Sequence, residues 1–219
     1  MSEFVVVVVA GGEAPRPQAV LAVPPGAQVI AADGGLEHAN ALGLEVGTVV
    51  GDLDSVEQTA VNGAAAAGAK IVRHATEKDA TDLELALDAA LALQPSRILV
   101  LAGGGGRLDH LLANVLLLAS PRYAGVEIDA EIGTAQVHVI RGERVLAAKK
   151  GDPVTLLAVH GAAEGVSTEG LDYPLADETL EPGSSRGVSN VFASETARIS
   201  VGEGVLVAVQ PRFGEDEAK

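Results

Sequence analysis

Short apolar runs alternate with stretches of helical periodicity in the first half of the chain. Five apolar runs have the length of buried strands, and they lie at 4–10, 28–32, 48–50, 71–73 and 97–102. Helical periodicity is clearest over 81–93, where Thr81 and Glu84 have the spacing of a capping box, and it returns over 108–119. Strands separated by helices of this length predict βαβ units, and therefore an α/β domain with a mostly parallel sheet.

The pattern changes near residue 126. Short β-rich runs then alternate with turn residues, and they lie at 126–128, 136–140, 154–159, 197–201 and 205–209. Helical periodicity does not return, so an all-β sandwich or a small barrel is expected. We predict an α/β domain over 1–124, a β-sandwich domain over 125–213 and a frayed acidic tail over 214–219.

Charge and cysteine content exclude several classes of function. The chain has 15 basic and 30 acidic residues, a net charge of −15, whereas nucleic acids and anionic membranes need a basic binding surface. It has no cysteine, which excludes disulfides, thiolate metal sites and cysteine nucleophiles. We find neither the pattern of a secretory signal nor an apolar run near the ~18 residues of a membrane span. The sequence therefore predicts a cytoplasmic protein without nucleic-acid or membrane partners.

Acidic side chains follow four successive strands of the predicted sheet. Asp33 follows the second strand, and Asp52 and Asp54 follow the third. Asp82 lies after the fourth strand and Asp109 after the fifth. Capping a helix N-terminus is the commoner role for any single one of them. Because ligands bind outside the carboxyl ends of parallel strands, we expect the set to converge, and Mg²⁺ between carboxylates and phosphate would relieve their repulsion.

A glycine run, Gly103–Gly106, follows the fifth strand. It lacks the Lys-Ser/Thr of a P-loop, and Leu108 stands where a dinucleotide fingerprint needs its third glycine. A flexible connection is one interpretation. The other is a phosphate site, because glycines let phosphate approach the backbone at a helix N-terminus and Arg107 offers a bidentate donor. Lys78, after the fourth strand, is a further cation for the same phosphates.

The second half has one dense polar stretch, 183–190. A hairpin turn explains it equally well, but its hydroxyl, amide and guanidinium groups also suit a polar substrate. Its candidate binding residues are Ser185, Arg186, Ser189 and Asn190. Tyr173 is one of five aromatic residues, held extended by the following proline. It is expected either to pack half-buried or to stack on a flat ring of the substrate.

Six short motifs in this order resemble those of thiamine pyrophosphokinases. They lie at 32–35, 51–55, 77–82, 104–110, 170–175 and 183–190. The resemblance implies an N-terminal α/β domain that binds ATP and a C-terminal β-sandwich. It also implies a homodimer whose active site lies between the α/β domain of one subunit and the β domain of the other. The implied reaction transfers the pyrophosphoryl group of ATP to thiamine with Mg²⁺, giving thiamine diphosphate and AMP.

The resemblance implies a role for each residue that matches a motif. The metal ligands would be Asp33, Asp52, Asp54 and Asp82, of which Asp52, Asp54 and Asp82 are the predicted catalytic residues. The residues beside the nucleotide would be Asp33, Lys78, Gly104, Gly105, Arg107 and Asp109. The thiamine-side residues would be Tyr173, Ser185, Arg186, Ser189 and Asn190.

Other functions fit the same motifs. One is a related pyrophosphokinase that acts on another heterocyclic alcohol, such as a hydroxymethylpterin. Another is a non-catalytic sensor of Mg-nucleotide. A dehydrogenase with a Rossmann fold is disfavoured by the broken glycine fingerprint.

Overall fold

The computed structural model describes residues 4–77 and 79–212, and these form two compact units. The first unit consists of residues up to Asn114 together with Ile128–Gly133, and the second of Val115–Glu127 and the residues from Thr134 onward. The domain boundary predicted between 124 and 125 stays a prediction. Lys78 and the predicted tail over 214–219 lie outside the described residues.

The first unit is built on a parallel sheet. Its strands are β1 (Val5–Val9), β2 (Gln28–Ala32), β3 (Val46–Gly51), β4 (Lys70–Arg73), β5 (Arg97–Ala102) and β6 (Glu127–Ile132). They lie in the order β6-β5-β1-β2-β3-β4, and the pairs from β5 to β4 are parallel. All five valines of β1 are buried, as expected of a central strand covered on both faces. The predicted parallel α/β sheet is confirmed.

Four α-helices in the described ranges connect or follow these strands. They are α1 (Gly35–Ala41), α2 (Gln58–Ala66), α3 (Asp82–Leu91) and α4 (Leu108–Leu118). Helix α3 packs on β1, β2 and β3, and the predicted cap is present, because the backbone N–H of Glu84 donates to Thr81 Oγ1 at 3.2 Å. Alanines at 86 and 90 of its buried face allow the close approach of helix to sheet that a core with few aromatic residues requires. None of the helices in the described ranges is long and apolar enough to cross a membrane.

The second unit contains two antiparallel sheets. Its strands are β7 (Ala135–Ile140), β8 (Glu143–Ala147), β9 (Pro153–Ala158), β10 (Ala163–Glu169), β11 (Glu178–Leu180), β12 (Asn190–Val191), β13 (Thr196–Ser200) and β14 (Leu206–Pro211). Within this unit the strands lie in the orders β12-β9-β14-β7 and β11-β10-β13-β8. Both sheets contribute to one apolar cluster that includes Ile140, Leu156, Phe192 and Ile199. The predicted β-sandwich is confirmed, and β8, β10, β11 and β12 are strands that the apolar pattern did not identify.

Candidate active site

The carboxyl ends of β2 and β3 place three aspartates at one edge of the parallel sheet. Asp33 directly follows β2, Asp52 directly follows β3, and Asp82 is the first residue of α3. One carboxylate oxygen from each lies within 4.8 Å of the others. We call Asp33, Asp52 and Asp82 the aspartate cluster. The structure thus brings together three of the four carboxylates that were predicted to bind a metal.

Gly51 makes room for two members of the aspartate cluster. It has a φ of +150°, which L side chains rarely adopt, and a Cβ at this position would lie 3.1 Å from Asp33 Cβ and 3.2 Å from Asp82 Oδ1. A side chain at position 51 would therefore crowd both Asp33 and Asp82. Asp33 itself has a φ of +47°, a conformation that aspartate tolerates better than most residues.

Asp33 has one satisfied and one unsatisfied carboxylate oxygen. Ser55 Oγ donates a hydrogen bond to Asp33 Oδ2. Asp33 Oδ1 is buried and has no hydrogen-bond partner among the described residues. A buried carboxylate oxygen without a partner is costly, so its presence in a native structure calls for a ligand or another explanation.

Asp54 lies beside the aspartate cluster and is exposed to solvent. Its backbone N–H donates to Asp52 Oδ1 at 3.3 Å. The pKa of Asp54 is raised, first by the negative charge of Asp52, then by a side-chain hydrogen bond with Asp52 and by desolvation, with smaller contributions from the charges of Asp33 and Asp82. Four carboxylates therefore repel one another here, and a bound cation would relieve that repulsion.

The aspartate cluster fits the requirements of Mg²⁺. This ion takes oxygen ligands from one or two carboxylates, water and substrate phosphate, at about 2.1 Å, so its ligands lie ~3 to ~4.2 Å apart. Three oxygens within 4.8 Å of one another need only small side-chain movements to share such an ion. The unsatisfied oxygen of Asp33 is a ready ligand atom.

The glycine run is packed against backbone from two other segments. A Cβ at Gly103 would collide with the backbone carbonyl of Glu13, and one at Gly104 would lie 2.9 Å from the Cα of Gly133. Close packing, rather than flexibility alone, therefore requires these glycines. The sequence analysis missed Glu13, although it follows the Gly-Gly pair after β1 and is a further acidic residue after a strand of the sheet.

Arg107 and Asp109 form an ion pair with each other. Arg107 Nε and Nη2 donate to Asp109 Oδ1 and Oδ2 at 3.2 and 2.5 Å, and both side chains are mostly exposed. The pair holds the pKa of Asp109 below its usual range and raises the pKa of Arg107. The guanidinium that was predicted beside the nucleotide therefore has an internal partner with which a phosphate would compete. Lys78 lies outside the described residues, so its predicted role stays a prediction.

Tyr173 and Asn190 meet in the second unit. The buried Asn190 side chain accepts a hydrogen bond from Tyr173 N at 3.1 Å and donates one to Tyr173 O at 2.7 Å. The Asn190 amide thus holds the backbone of Tyr173, a residue that is 61% exposed. This exposure favours the stacking interpretation over half-buried packing.

The other candidates of the polar stretch have local partners. Arg186 forms a two-point ion pair with Glu178, at 2.8 and 2.7 Å, which the sequence analysis did not foresee. Ser189 has a φ of +57°, and its N–H donates to Thr155 Oγ1 at 3.1 Å. Ser185 is exposed in the same turn. The role of these three residues at a substrate stays a prediction.

Comparison with known proteins identifies the family. The model described as "Thiamin pyrophosphokinase, catalytic domain" matches residues 26–129, and "Thiamin pyrophosphokinase, vitamin B1 binding domain" matches residues 136–206. A thiamine pyrophosphokinase of Bacillus subtilis is 28% identical over 192 residues, which are 80% of this chain and 88% of that protein.

Solved structures agree with these matches. The crystal structure of thiamine pyrophosphokinase from Bacillus subtilis has a TM-score of 0.82 and 25% identity, covering 96% of this chain and 100% of the other. That of the thiamin pyrophosphokinase from Geobacillus thermodenitrificans has a TM-score of 0.80 and 25% identity, covering 97% and 99%. The two family models together span most of the sequence, and they follow one another in the same order as the parallel and the antiparallel strands. This chain therefore belongs to the thiamine pyrophosphokinase family and is a transferase.

Proposed function

We propose that this protein transfers the pyrophosphoryl group of ATP to the hydroxyethyl oxygen of thiamine, with Mg²⁺ held at the aspartate cluster. The products are thiamine diphosphate and AMP. The observation that carries this proposal is the convergence of three carboxylate oxygens within 4.8 Å, in the part of the chain that matches the catalytic-domain model. The sheet edge carries several carboxylates and the protein has a net charge of −15. ATP, which is itself negatively charged, would therefore bind there as its metal complex.

In this proposal Asp33, Asp52 and Asp82 hold the ion. When bound, Mg²⁺ neutralises charge on the phosphates and on the leaving AMP. Ser55 keeps the Asp33 carboxylate oriented through its hydrogen bond to Oδ2, which leaves Oδ1 for a ligand.

The transfer is an in-line displacement at the β-phosphorus of ATP. The thiamine hydroxyl oxygen forms the new O–P bond, the bond between the β-phosphorus and the oxygen bridging to the α-phosphate breaks, and the electron pair leaves with AMP. The hydroxyl proton departs late in such a loose transition state. We assign its acceptance to Asp54, because Asp54 is exposed beside the aspartate cluster whereas Asp82 is a member of it.

Cationic and glycine residues support the nucleotide in this scheme. Gly104 and Gly105 allow close approach of phosphate to the backbone, and Arg107, oriented by Asp109, offers its guanidinium to the phosphates. Lys78 is a further cation beside the nucleotide phosphates, as the resemblance implies. The reaction is then mostly positioning and charge neutralisation.

On the thiamine side, the exposed ring of Tyr173 stacks on a flat ring of the substrate. Asn190 acts through Tyr173, because both functional ends of its amide are bonded to the Tyr173 backbone. Ser185, Arg186 and Ser189 contribute polar groups from the turn that precedes β12. Their partners Glu178 and Thr155 fix that turn.

We also propose that the protein acts as a homodimer. Leu108, Leu112 and Leu116 recur every four residues along α4, so they share one face, and they are 67%, 57% and 46% exposed. A contiguous exposed apolar stripe of this kind marks an interaction surface. A second copy of the chain is the partner that the resemblance implies, with the active site shared between subunits.

The decisive experiment measures AMP formed from ATP with and without thiamine, first in Mg²⁺ and then with a chelator. We expect AMP only when thiamine and Mg²⁺ are both present. Asp52→Asn should lower the rate by about 100-fold or more, since it removes a charged metal ligand. Glu45→Gln, an exposed neutralisation outside the aspartate cluster, should leave the rate unchanged.

Other results would support the alternatives. AMP formation with a hydroxymethylpterin but not with thiamine would indicate the related pyrophosphokinase. Binding of Mg-ATP without AMP formation for any acceptor would indicate the nucleotide sensor. Wild-type turnover in Asp52→Asn would refute the metal site.

A further inference from the structure

The second unit has a cavity of about 640 Å³ at one end of its β-sandwich. This end is where β8 and β14 finish and where β7 and β9 begin. Residues from both sheets line it, Gln136 and Gln210 from one and Thr196 from the other. We call this cavity the sandwich mouth. It lies within the volume range of small-molecule sites, ~300 to ~1,000 Å³.

Polar residues lie at inward-facing positions of the strands next to the sandwich mouth. Ile140 of β7 and Ala208 of β14 belong to the apolar core, so the alternation of a strand puts His138 and Gln210 on the same inner faces. His138 Nε2 lies 2.8 Å from Gln210 Oε1, and Gln210 Nε2 donates to Ala147 O at 3.2 Å. Gln210 is only 5% exposed.

This arrangement is unusual for a sandwich core. Inward positions normally carry apolar residues, and burying an amide costs free energy that hydrogen bonds only offset. Gln136, the Cα partner of Gln210 in the β7–β14 register, adds a second amide at the same level. The core therefore ends in a layer of polar side chains, which includes Gln136 and Gln210 and which we call the polar floor. Such a layer favours contact with a polar ligand over apolar packing.

Three cationic residues surround this floor. Lys149 and Lys150 lie between β8 and β9, and Arg212 follows β14. Neither lysine side chain forms an ion pair within the described ranges. The loop is anchored, since Phe192 of the core accepts a hydrogen bond from Gly151 N at 2.8 Å and donates one to Asp152 O at 2.9 Å.

The charge of the sandwich mouth opposes that of the whole chain. Two carboxylates, Asp152 and Glu195, also line it, but Asp152 already accepts a hydrogen bond from the N–H of Lys149 at 2.9 Å. Three cations at one cavity are a notable share of the 15 basic residues in a protein that has 30 acidic ones. Their local excess favours an anion.

We propose that the sandwich mouth binds the phosphoryl or pyrophosphoryl group of a phosphorylated small molecule. Lys149, Lys150 and Arg212 contact the phosphate oxygens, and Gln210, held by His138 and Ala147 O, forms the polar floor beneath them. A phosphate carries enough negative charge to engage several cations at once, and an arginine fork matches its geometry. No member of the aspartate cluster lines this cavity, and the proposal does not rest on the proposed function.

Calorimetric titration of the full chain in EDTA tests the proposal, because the chelator removes any metal-dependent binding. The probes are inorganic pyrophosphate, AMP and thiamine diphosphate, which distinguish a free anion from a nucleotide and from the product of the proposed reaction. We expect at least one of them to bind. The double variant Lys149→Ala/Lys150→Ala should weaken its binding by about tenfold or more, and Arg212→Ala should weaken it as well.

Four controls make the result specific. Lys70→Ala removes an exposed lysine of β4 and should leave the affinity unchanged. Glu45→Gln, an exposed neutralisation outside the aspartate cluster and the sandwich mouth, should bind as wild type does. Equal melting temperatures of wild type and the double variant would verify folding, and Lys149→Gln/Lys150→Gln should reproduce the loss. Absence of binding by wild type for all three probes, or wild-type affinity in the double variant, would overturn the proposal.

Discussion

A single missing side chain allows the aspartate cluster to form. Gly51 closes β3 at a φ of +150°, and any Cβ there would press on Asp33 and Asp82 together. The next residue is Asp52 itself, so one backbone position controls the placement of all three carboxylates. The geometry of the site therefore depends on a residue that contributes no ligand atom.

Gly51→Ala should disrupt the site, whereas the same substitution at a control glycine should not. We expect a loss of AMP formation and a destabilisation of about 1–3 kcal/mol, because the new methyl group forces strain at a positive φ and displaces two carboxylates. Activity assays and denaturant unfolding measure the two effects. Gly63→Ala is the control, since Gly63 lies in α2 with open space around it, and it should stabilise the protein by ~0.5–1 kcal/mol. Wild-type activity in Gly51→Ala would contradict the argument.

Repulsion at Asp54 gives a prediction about pH. Since its pKa is raised in the folded protein, chiefly by the charge of Asp52, the folded state binds this proton more tightly than the unfolded chain does. The group therefore favours folding below the ordinary value of 3.8, and that contribution is lost as the pH rises through the folded-state pKa. In EDTA, Asp54→Asn should melt at a higher temperature than wild type at neutral pH. The difference should shrink as the pH falls towards 3.8.

Thermal unfolding across this pH range, followed by circular dichroism, provides the measurement. Glu45→Gln is the control for the loss of one exposed negative charge. A difference for Asp54→Asn that does not change with pH would argue against the electrostatic cause.

At the scale of elements, α4 departs from the expected amphipathic helix. Its periodicity predicts a face buried in its own domain, but only Leu118 of the helix is buried. Leu108, Leu112 and Leu116 leave an apolar stripe exposed. Burial of that stripe by a second copy would explain why the helix is so apolar.

Leu112→Glu tests the stripe as a dimer surface. A charge in the centre of the apolar face should convert a dimer to a monomer in sedimentation analysis, and it should also reduce AMP formation if the active site is shared. Val145→Glu is a suitable control, because Val145 is 53% exposed on β8 and lies outside the stripe. An unchanged dimer in Leu112→Glu would refute this surface.

At the scale of the whole molecule, the charged residues are unevenly distributed. Four of the 30 acidic residues, Asp33, Asp52, Asp54 and Asp82, lie together at the sheet edge, where a bound cation would relieve their repulsion. Three of the 15 basic residues line the sandwich mouth. Net charge disfavoured nucleic acids and membranes as partners, and a cytoplasmic location stays a prediction from the sequence. Net charge does not indicate where a cation or an anion would bind, whereas the positions of the charged residues do.

Much of the fold was predictable because its signals are local. β2 and β5 coincide with their apolar runs, and Thr81 caps α3 as its spacing indicates. Strands β10 and β11 were not predicted, because most of their residues are polar and do not form an apolar run. The pairing of Arg186 with Glu178 was missed because it depends on how the turn between them folds, which the apolar pattern does not record.

The sequence by itself determined the alternation of strands and helices in the first half, the strand ends that carry carboxylates and the family. Tertiary structure decided which of these side chains meet. It placed Asp33, Asp52 and Asp82 in one group with Asp54 beside them, and it brought Glu13 to the glycine run. The physical reason is that hydrophobic periodicity records burial along one segment, whereas strand register, a positive φ at Gly51 and hydrogen bonds between distant segments fix distances across the fold.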